Sequence, residues 1–237
     1  MSLRSSSEKL ERVETVLLDA GGVLLDLDYS FLRRLLEARH VDVTLDMLSD
    51  AEAVARTVVD RDVRAGGRSG DNWRDYFRTL FGRVYVPPEL HEEIIDTLWE
   101  AHKRFGLWTV AVEGAVSTVQ KLKESGFHLA VVSNAEGRVE RDLDSAGFAG
   151  LFETVVDSHV VGFEKPDPAI FGIALTRLGT QPETAIFLGD VPAIDVEGAR
   201  AAGITPVLLD RHDLYPDGDA HRLRSIEELP DWLAPYR

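Results

Sequence analysis

Val13-Glu14-Thr15-Val16-Leu17-Leu18-Asp19-Ala20-Gly21-Gly22-Val23-Leu24 is the stretch that decides how the rest of the chain is read. Apolar residues dominate its first half and stop abruptly at an aspartate followed by a glycine pair. A strand buried on both faces reads this way, and the glycines let the backbone turn sharply just beyond it. The same form recurs four times. Phe127–Val132 ends at Ser133-Asn134, Thr154–Val156 at Asp157, Ala185–Leu188 at Gly189-Asp190, and Pro206–Leu209 at Asp210.

Helical patterns separate these later runs. One carries Val116, Val119 and Leu122 and stops at Gly126; others span Glu136–Ala146, Ala169–Leu178 and Ile194–Ala202, each closed by a glycine. Alternating strands and helices predict an α/β fold: a Rossmann-like, doubly wound parallel sheet. Ligands of such sheets sit outside the carboxyl ends of the strands, so Asp19, Ser133 and Asp190 should line one crevice.

The first and second runs are too far apart for a simple crossover. Residues 28–112 read as helices: Ser30–Arg39, Leu45–Arg64, Asp71–Phe81 and Pro88–Phe105, punctuated by Gly66-Gly67 and Pro87-Pro88. The predicted organisation is a core of residues 12–27 and 113–237 with an inserted all-α cap of residues 28–112. Met1–Glu11 is polar, carries Ser5-Ser6-Ser7 and has no apolar h-region, so residues 1–11 read as a flexible tail rather than a secretory signal.

Composition narrows the function classes. A formal net charge of −15 disfavours nonspecific contact with nucleic acid or anionic membrane. The absence of cysteine excludes disulfides, thiolate metal sites and cysteine nucleophiles, and it suits a cytoplasmic location. No run of about 18 apolar residues is present, so no transmembrane helix is expected.

Taken in order, Leu17–Leu24 with its Asp19, then Val131-Val132-Ser133-Asn134, then Lys165-Pro166-Asp167-Pro168, then Gly189-Asp190 with Asp195 resemble the four ordered motifs of the haloacid-dehalogenase-like (HAD) superfamily. The resemblance runs from Val13 to about Leu209. It implies a magnesium-dependent phosphohydrolase acting on a small phosphorylated metabolite, as monomer or homodimer. Asp19 would be the nucleophile, forming an aspartyl-phosphate. Mg²⁺ would be held by Asp19, the carbonyl of Gly21, Asp190 and, as a further ligand or support, Asp195. Lys165 would offset charge at the transferring group, and Gly22, Ser133 and Asn134 would join it around the phosphate.

One position departs from the pattern. Family phosphatases usually carry a second aspartate two residues after the nucleophile, which protonates the leaving oxygen; here that residue is Gly21. General acid–base catalysis, worth about 10²–10⁴-fold, is therefore in question. The alternatives are a slow phosphatase for good leaving groups, proton transfer by Asp26 or Asp28, or a phospho-ligand-binding protein without turnover. A 2-haloacid dehalogenase ranks third: the aromatic residue usual in that branch's first motif is absent, and Asp190 favours a metal. The insertion's arginines, among them Arg61, Arg64, Arg68, Arg74 and Arg78 beside Trp73 and Tyr76, are read singly as solvated helix faces.

Overall fold

The computed structural model describes residues 10–67 and 72–237. Most of the expected N-terminal tail, Arg68, and the expected helix start at Asp71 lie outside the described residues. The chain opens with β1 (Thr15–Leu18) and β2 (Leu25–Leu27), followed by α1 (Tyr29–Glu37), α2 (Leu45–Arg64), α3 (Trp73–Arg83) and α4 (His91–Phe105). It continues with β3 (Trp108–Ala111), α5 (Ala115–Glu124), β4 (His128–Ser133), α6 (Val139–Leu143), β5 (Thr154–Asp157), α7 (Ser158–Val161) and α8 (Pro168–Leu178). β6 (Ala185–Gly189), α9 (Glu197–Ala201), β7 (Thr205–Leu209), β8 (His221–Leu223) and α10 (Leu229–Leu233) complete it.

Six strands form one parallel sheet in the order β5-β4-β1-β6-β7-β8. Both faces are covered, and alternation along the strands divides the side chains between two cores. Val16, Leu18, Leu129, Val131, Ile186 and Leu188 pack with α5 and α10 residues on one side. Leu17, Ala130, Val132 and Phe187 pack with Ile170, Phe171 and Ala174 of α8 on the other. Burial on both faces is why these strands read as unbroken apolar runs. β1 is central, flanked by β4 and β6, so its carboxyl end lies at the point where the winding reverses.

The helices of the insertion bury a third cluster of their own, which includes Leu32, Leu36, Leu48, Phe77, Phe81 and Leu98. The stretch 28–112 is not wholly helical, however. Trp108–Ala111 is a strand, paired antiparallel with β2 across the base of the insertion. Three- and four-residue strands carry too short an alternation to stand out beside helical periodicity; β8 escaped the sequence reading for the same reason. The pattern at Glu136–Ala146 is helical from Val139: α6 runs on into a π-helical turn at Asp144–Phe148, and Gly147, at φ +100°, breaks the helical geometry where the sequence expects the stop.

Candidate active site

β1 delivers Asp19 directly beyond its last residue, and the Asp19 amide donates to the Leu188 carbonyl of the neighbouring strand at 2.9 Å. Its Oδ1 accepts from the Ala20 amide at 2.7 Å and pairs with Lys165 Nζ at 2.8 Å. Lys165 is 3% exposed, and its ammonium also meets Asp195 Oδ1 at 2.9 Å. Asp195 Oδ2 in turn accepts from the Asp190 and Val191 amides, both at 2.9 Å. A Cβ on Gly189 would stand 2.3 Å from Asp195, so this turn admits only glycine. Lys165 is held at its backbone as well: its amide donates to Asn134 Oδ1 at 2.7 Å, and Asn134 Nδ2 donates to its carbonyl at 2.9 Å.

A second network arrives from α2. Arg56 pairs with Asp190 Oδ2 at 2.8 Å and with Glu52 Oε1 at 3.0 Å. Glu52 is fully buried and accepts from Tyr76 Oη at 2.6 Å, Trp108 Nε1 at 3.1 Å and the Tyr29 hydroxyl. One turn further along the helix, Asp60 Oδ1 accepts from the Ala193 amide at 2.7 Å, and Arg64 then pairs with Glu197. Glu52, Arg56, Asp60 and Arg64 repeat every four residues, so one face of α2 carries alternating charge against the loop that follows β6.

Burial acts on all these charges. It pushes the Asp19 carboxyl up, against the pull of Lys165. It pushes Asp190 up to about 7, where Arg56 opposes the shift and Asp195 and Asp19 add to it. Burial would raise Glu52 too, but Arg56 and the tyrosine hydroxyls bring it below the usual carboxylate range. Lys165 is held up by Asp19 and Asp195 despite desolvation. Four carboxylates face two cations, a surplus of negative charge that suits a divalent cation. Asp19, Asp190 and Asp195 each offer an oxygen within 4.8 Å of the others. The residues present therefore fit a divalent metal.

The site opens on a cavity of about 280 Å³ whose lining includes Asp19, Gly21, Ser133, Lys165 and Asp190. Tyr76, Trp73, Trp108, His102, Glu136 and Arg138 line it as well. A family model described as haloacid dehalogenase-like hydrolase matches residues 13–203. The chain belongs to this family.

Curated HAD relatives include haloacid dehalogenase-like hydrolase domain-containing protein 3 of Mus musculus, 35% identical over 58% of this chain and 55% of that protein. The phosphoserine phosphatase of Thermus thermophilus is 35% identical over 57% of this chain and 53% of its own length. The match thus spans about half the length of these relatives. A solved dehalogenase with an intermediate complex shares the fold at TM-score 0.64 and 22% identity, covering 94% of this chain and 98% of that one. The described residues include no helix long and apolar enough to cross a membrane.

Most of the residues read from the HAD motifs come together: Asp19, Gly21, Ser133, Asn134, Lys165, Asp190 and Asp195 all line the cavity. Gly22 stands just behind, at φ +77°, where a Cβ would lie 2.1 Å from Asp190 Oδ2 and 2.7 Å from Arg56. The two carboxylates considered as replacement acids are engaged elsewhere. Asp26 pairs with Arg211 at 2.6 Å, and Asp28 caps α1 through the Phe31 amide at 2.8 Å. Arg61, Arg74 and Arg78 pair with surface acids, as solvated faces should. Sequence reading missed Arg56 and Glu52. The signal was the four-residue alternation along α2, which is indistinguishable in sequence from an exposed helix laced with ion pairs.

Proposed function

We propose that this HAD hydrolase is a phosphohydrolase acting on a small phosphorylated metabolite, with the helical insertion of residues 28–112 as a cap over the crevice. The observation that carries the reading is Asp19 at the carboxyl end of the central strand, paired with a buried lysine and within metal-bridging reach of Asp190. Asp19 attacks phosphorus as the P–O bond to the leaving oxygen breaks, forming an aspartyl-phosphate, and water then cleaves this to return the carboxylate and release phosphate. Its Oδ1 is taken by Ala20 and Lys165, and no donor among the described residues reaches Oδ2, which is the attacking oxygen. Lys165 offsets charge on the transferring group, with Ser133 beside it at the end of β4.

Asp19 and Asp190, with the Gly21 carbonyl, would hold Mg²⁺, which when bound draws the phosphate toward the carboxylate and offsets their repulsion. Asp195 serves by orienting Lys165 and the Asp190 loop, since its oxygens accept from three donors. Asn134 serves by fixing the backbone of Lys165.

Gly21 supplies no proton to the leaving group, and Glu136, another carboxylate on the cavity wall, is a poor substitute. Burial raises it, but the hydrogen bond with His102 and the nearby charge of Arg138 bring it below the usual carboxylate range. Good leaving groups, acyl phosphates above all, should be the faster substrates. The same feature favours a second reading, a phospho-ligand-binding protein without turnover.

Phosphate release from acetyl phosphate and from a panel of alkyl phosphates, measured with Mg²⁺, separates the two readings. The phosphohydrolase reading expects turnover on acetyl phosphate that Asp19→Asn abolishes. Phosphate binding without release supports the binding protein. Halide release from 2-haloacids in the presence of EDTA would overturn both.

A further inference from the structure

Among the described residues, one ion pair joins the insertion to a member of the candidate metal centre: Arg56 Nη1 on Asp190 Oδ2 at 2.8 Å. The arginine is held there from behind. Its second terminal nitrogen meets Glu52 Oε1 at 3.0 Å, and Glu52, wholly buried, also accepts from Tyr29, Tyr76 and Trp108. In front, the pair lies against the turn that carries the Gly21 carbonyl: a Cβ on Gly22 would stand 2.7 Å from Arg56 Nη1 and 2.1 Å from Asp190 Oδ2. No donor among the described residues reaches Asp190 Oδ1. Two further rungs dock α2 on the segment after β6. Asp60 takes the Ala193 amide at 2.7 Å and Arg64 pairs with Glu197, and neither rung touches Asp19, Asp190 or Asp195.

We propose that Arg56 is a tethered competitor of the divalent cation, so that the insertion sets how tightly Asp190 binds the ion; the inference rests on the metal centre of the reading above. A guanidinium stays charged at every working pH, and this one is fixed by Glu52 rather than free to swing away. A divalent ion on Asp190 therefore shares that carboxylate with a second cation. The two repel, and burial leaves little water or salt between them to screen the repulsion. The opposite role, in which Arg56 turns Asp190 Oδ1 toward the ion, would make the pair favourable to binding. Charge decides between the two roles. Lys165 already spans Asp19 and Asp195, and Arg56 cancels much of what Asp190 still offers. Glu52 does not restore it, because its contacts are with Arg56 and the aromatic residues and with none of the three aspartates. Coupling is reciprocal, so a bound ion loosens this rung by the factor by which the rung weakens the ion.

Binding of Mn²⁺ to the full chain, read from the fall in the free-ion electron paramagnetic resonance signal, reports affinity without turnover. Arg56→Met should bind Mn²⁺ about tenfold more tightly than the unmutated chain, a gain that a loosened fold would not give. Arg56→Lys, which restores a cation, should return the affinity to within about threefold of the unmutated value. Arg56→Met leaves Glu52 buried without its partner, so a double variant, Glu52→Gln with Arg56→Met, removes both charges and covers a failure to fold. It too should bind Mn²⁺ more tightly than the unmutated chain. Asp190→Asn should abolish the tight site.

Unchanged or weaker Mn²⁺ binding in Arg56→Met, or in the double variant where the single one does not fold, overturns the proposal and leaves the metal centre in place. An equal gain in Arg56→Lys overturns it as well, since charge would not be the cause. Absence of Mn²⁺ binding by the unmutated chain, or binding indifferent to Asp190→Asn, defeats the metal centre of the reading above, and this inference with it.

Discussion

Two charge networks converge on Asp190, and they differ in origin. Asp19, Lys165 and Asp195 stand at or near strand ends of one sheet, so the topology that orders the strands also gathers their charges. Glu52 and Arg56 come from the middle of α2 and reach the same aspartate from the opposite side. The first network holds the nucleophile through Oδ1 and leaves its proposed attacking oxygen open. The second ties the insertion to the core, and its deepest member, Glu52, touches aromatic side chains of the insertion and its flanking strand rather than the nucleophile. Chemistry should depend on the first and attachment of the insertion on the second.

The hardest test of that division is Lys165→Met. It removes the one cation between two buried carboxylates, and uncompensated buried charge costs about 3–5 kcal/mol. Phosphate release should fall by about 10²–10³-fold or more with the lost offset of developing charge. Denaturant unfolding and steady-state kinetics report both; normal turnover in this variant would leave Lys165 without a role. Glu52→Gln should give the contrasting result. Arg56 loses one of its two buried partners and keeps Asp190, so stability should fall by about 3 kcal/mol, while kcat on acetyl phosphate in the folded fraction changes by less than about tenfold. A kinetic defect as deep as that of Lys165→Met would merge the two networks into one.

The same division explains what the sequence disclosed. Strand-end residues were legible because a buried parallel strand announces itself as an apolar run, and the first polar residue after it lies at the ligand-binding edge. Asp19, Ser133 and Asp190 were placed that way, and the order of motifs added Lys165. Arg56 was not legible, because an arginine four residues after a glutamate on a helix is ordinarily a surface pair. Only the fold of the insertion buries it. The engagement of Asp26 by Arg211 was hidden for another reason: 185 residues separate the partners, and no local pattern records such a contact.

The adjacent glycines sharpen the comparison on a smaller scale. Gly22 lies where the networks touch, and a Cβ there would strike Asp190 and Arg56 at positive φ. Gly22→Ala should cost about 2 kcal/mol, combining left-handed strain with displacement of the ion pair. Gly21 faces the cavity, and a Cβ there would meet only Trp108 Cδ1 at 3.9 Å, an ordinary contact. Gly21→Asp should therefore fold normally and restore a proton donor, raising turnover of alkyl phosphates by about 10²-fold with little gain on acetyl phosphate. Equal gains on both substrates would show that leaving-group protonation is not what Gly21 limits.

The smallest effect concerns Asp190, where both networks end. Its carboxyl rises from 3.8 to about 7 through burial, so the folded state favours the protonated form. Such a group stabilises the fold below its unfolded value, and the benefit fades as pH climbs from about 4 through about 7. Above that range the ionised group is buried without full compensation. A divalent cation binds the ionised form, so it competes with a proton in acid and not in base. Millimolar MgCl₂ should hardly change the unfolding midpoint at about pH 5.5, yet raise it by roughly 2–4 °C at about pH 8. Asp190→Asn should abolish that difference while keeping Arg56 in place through a neutral hydrogen bond. A magnesium response of equal size at both pH values would mean that Asp190 does not bind the ion, and that Arg56 alone balances it.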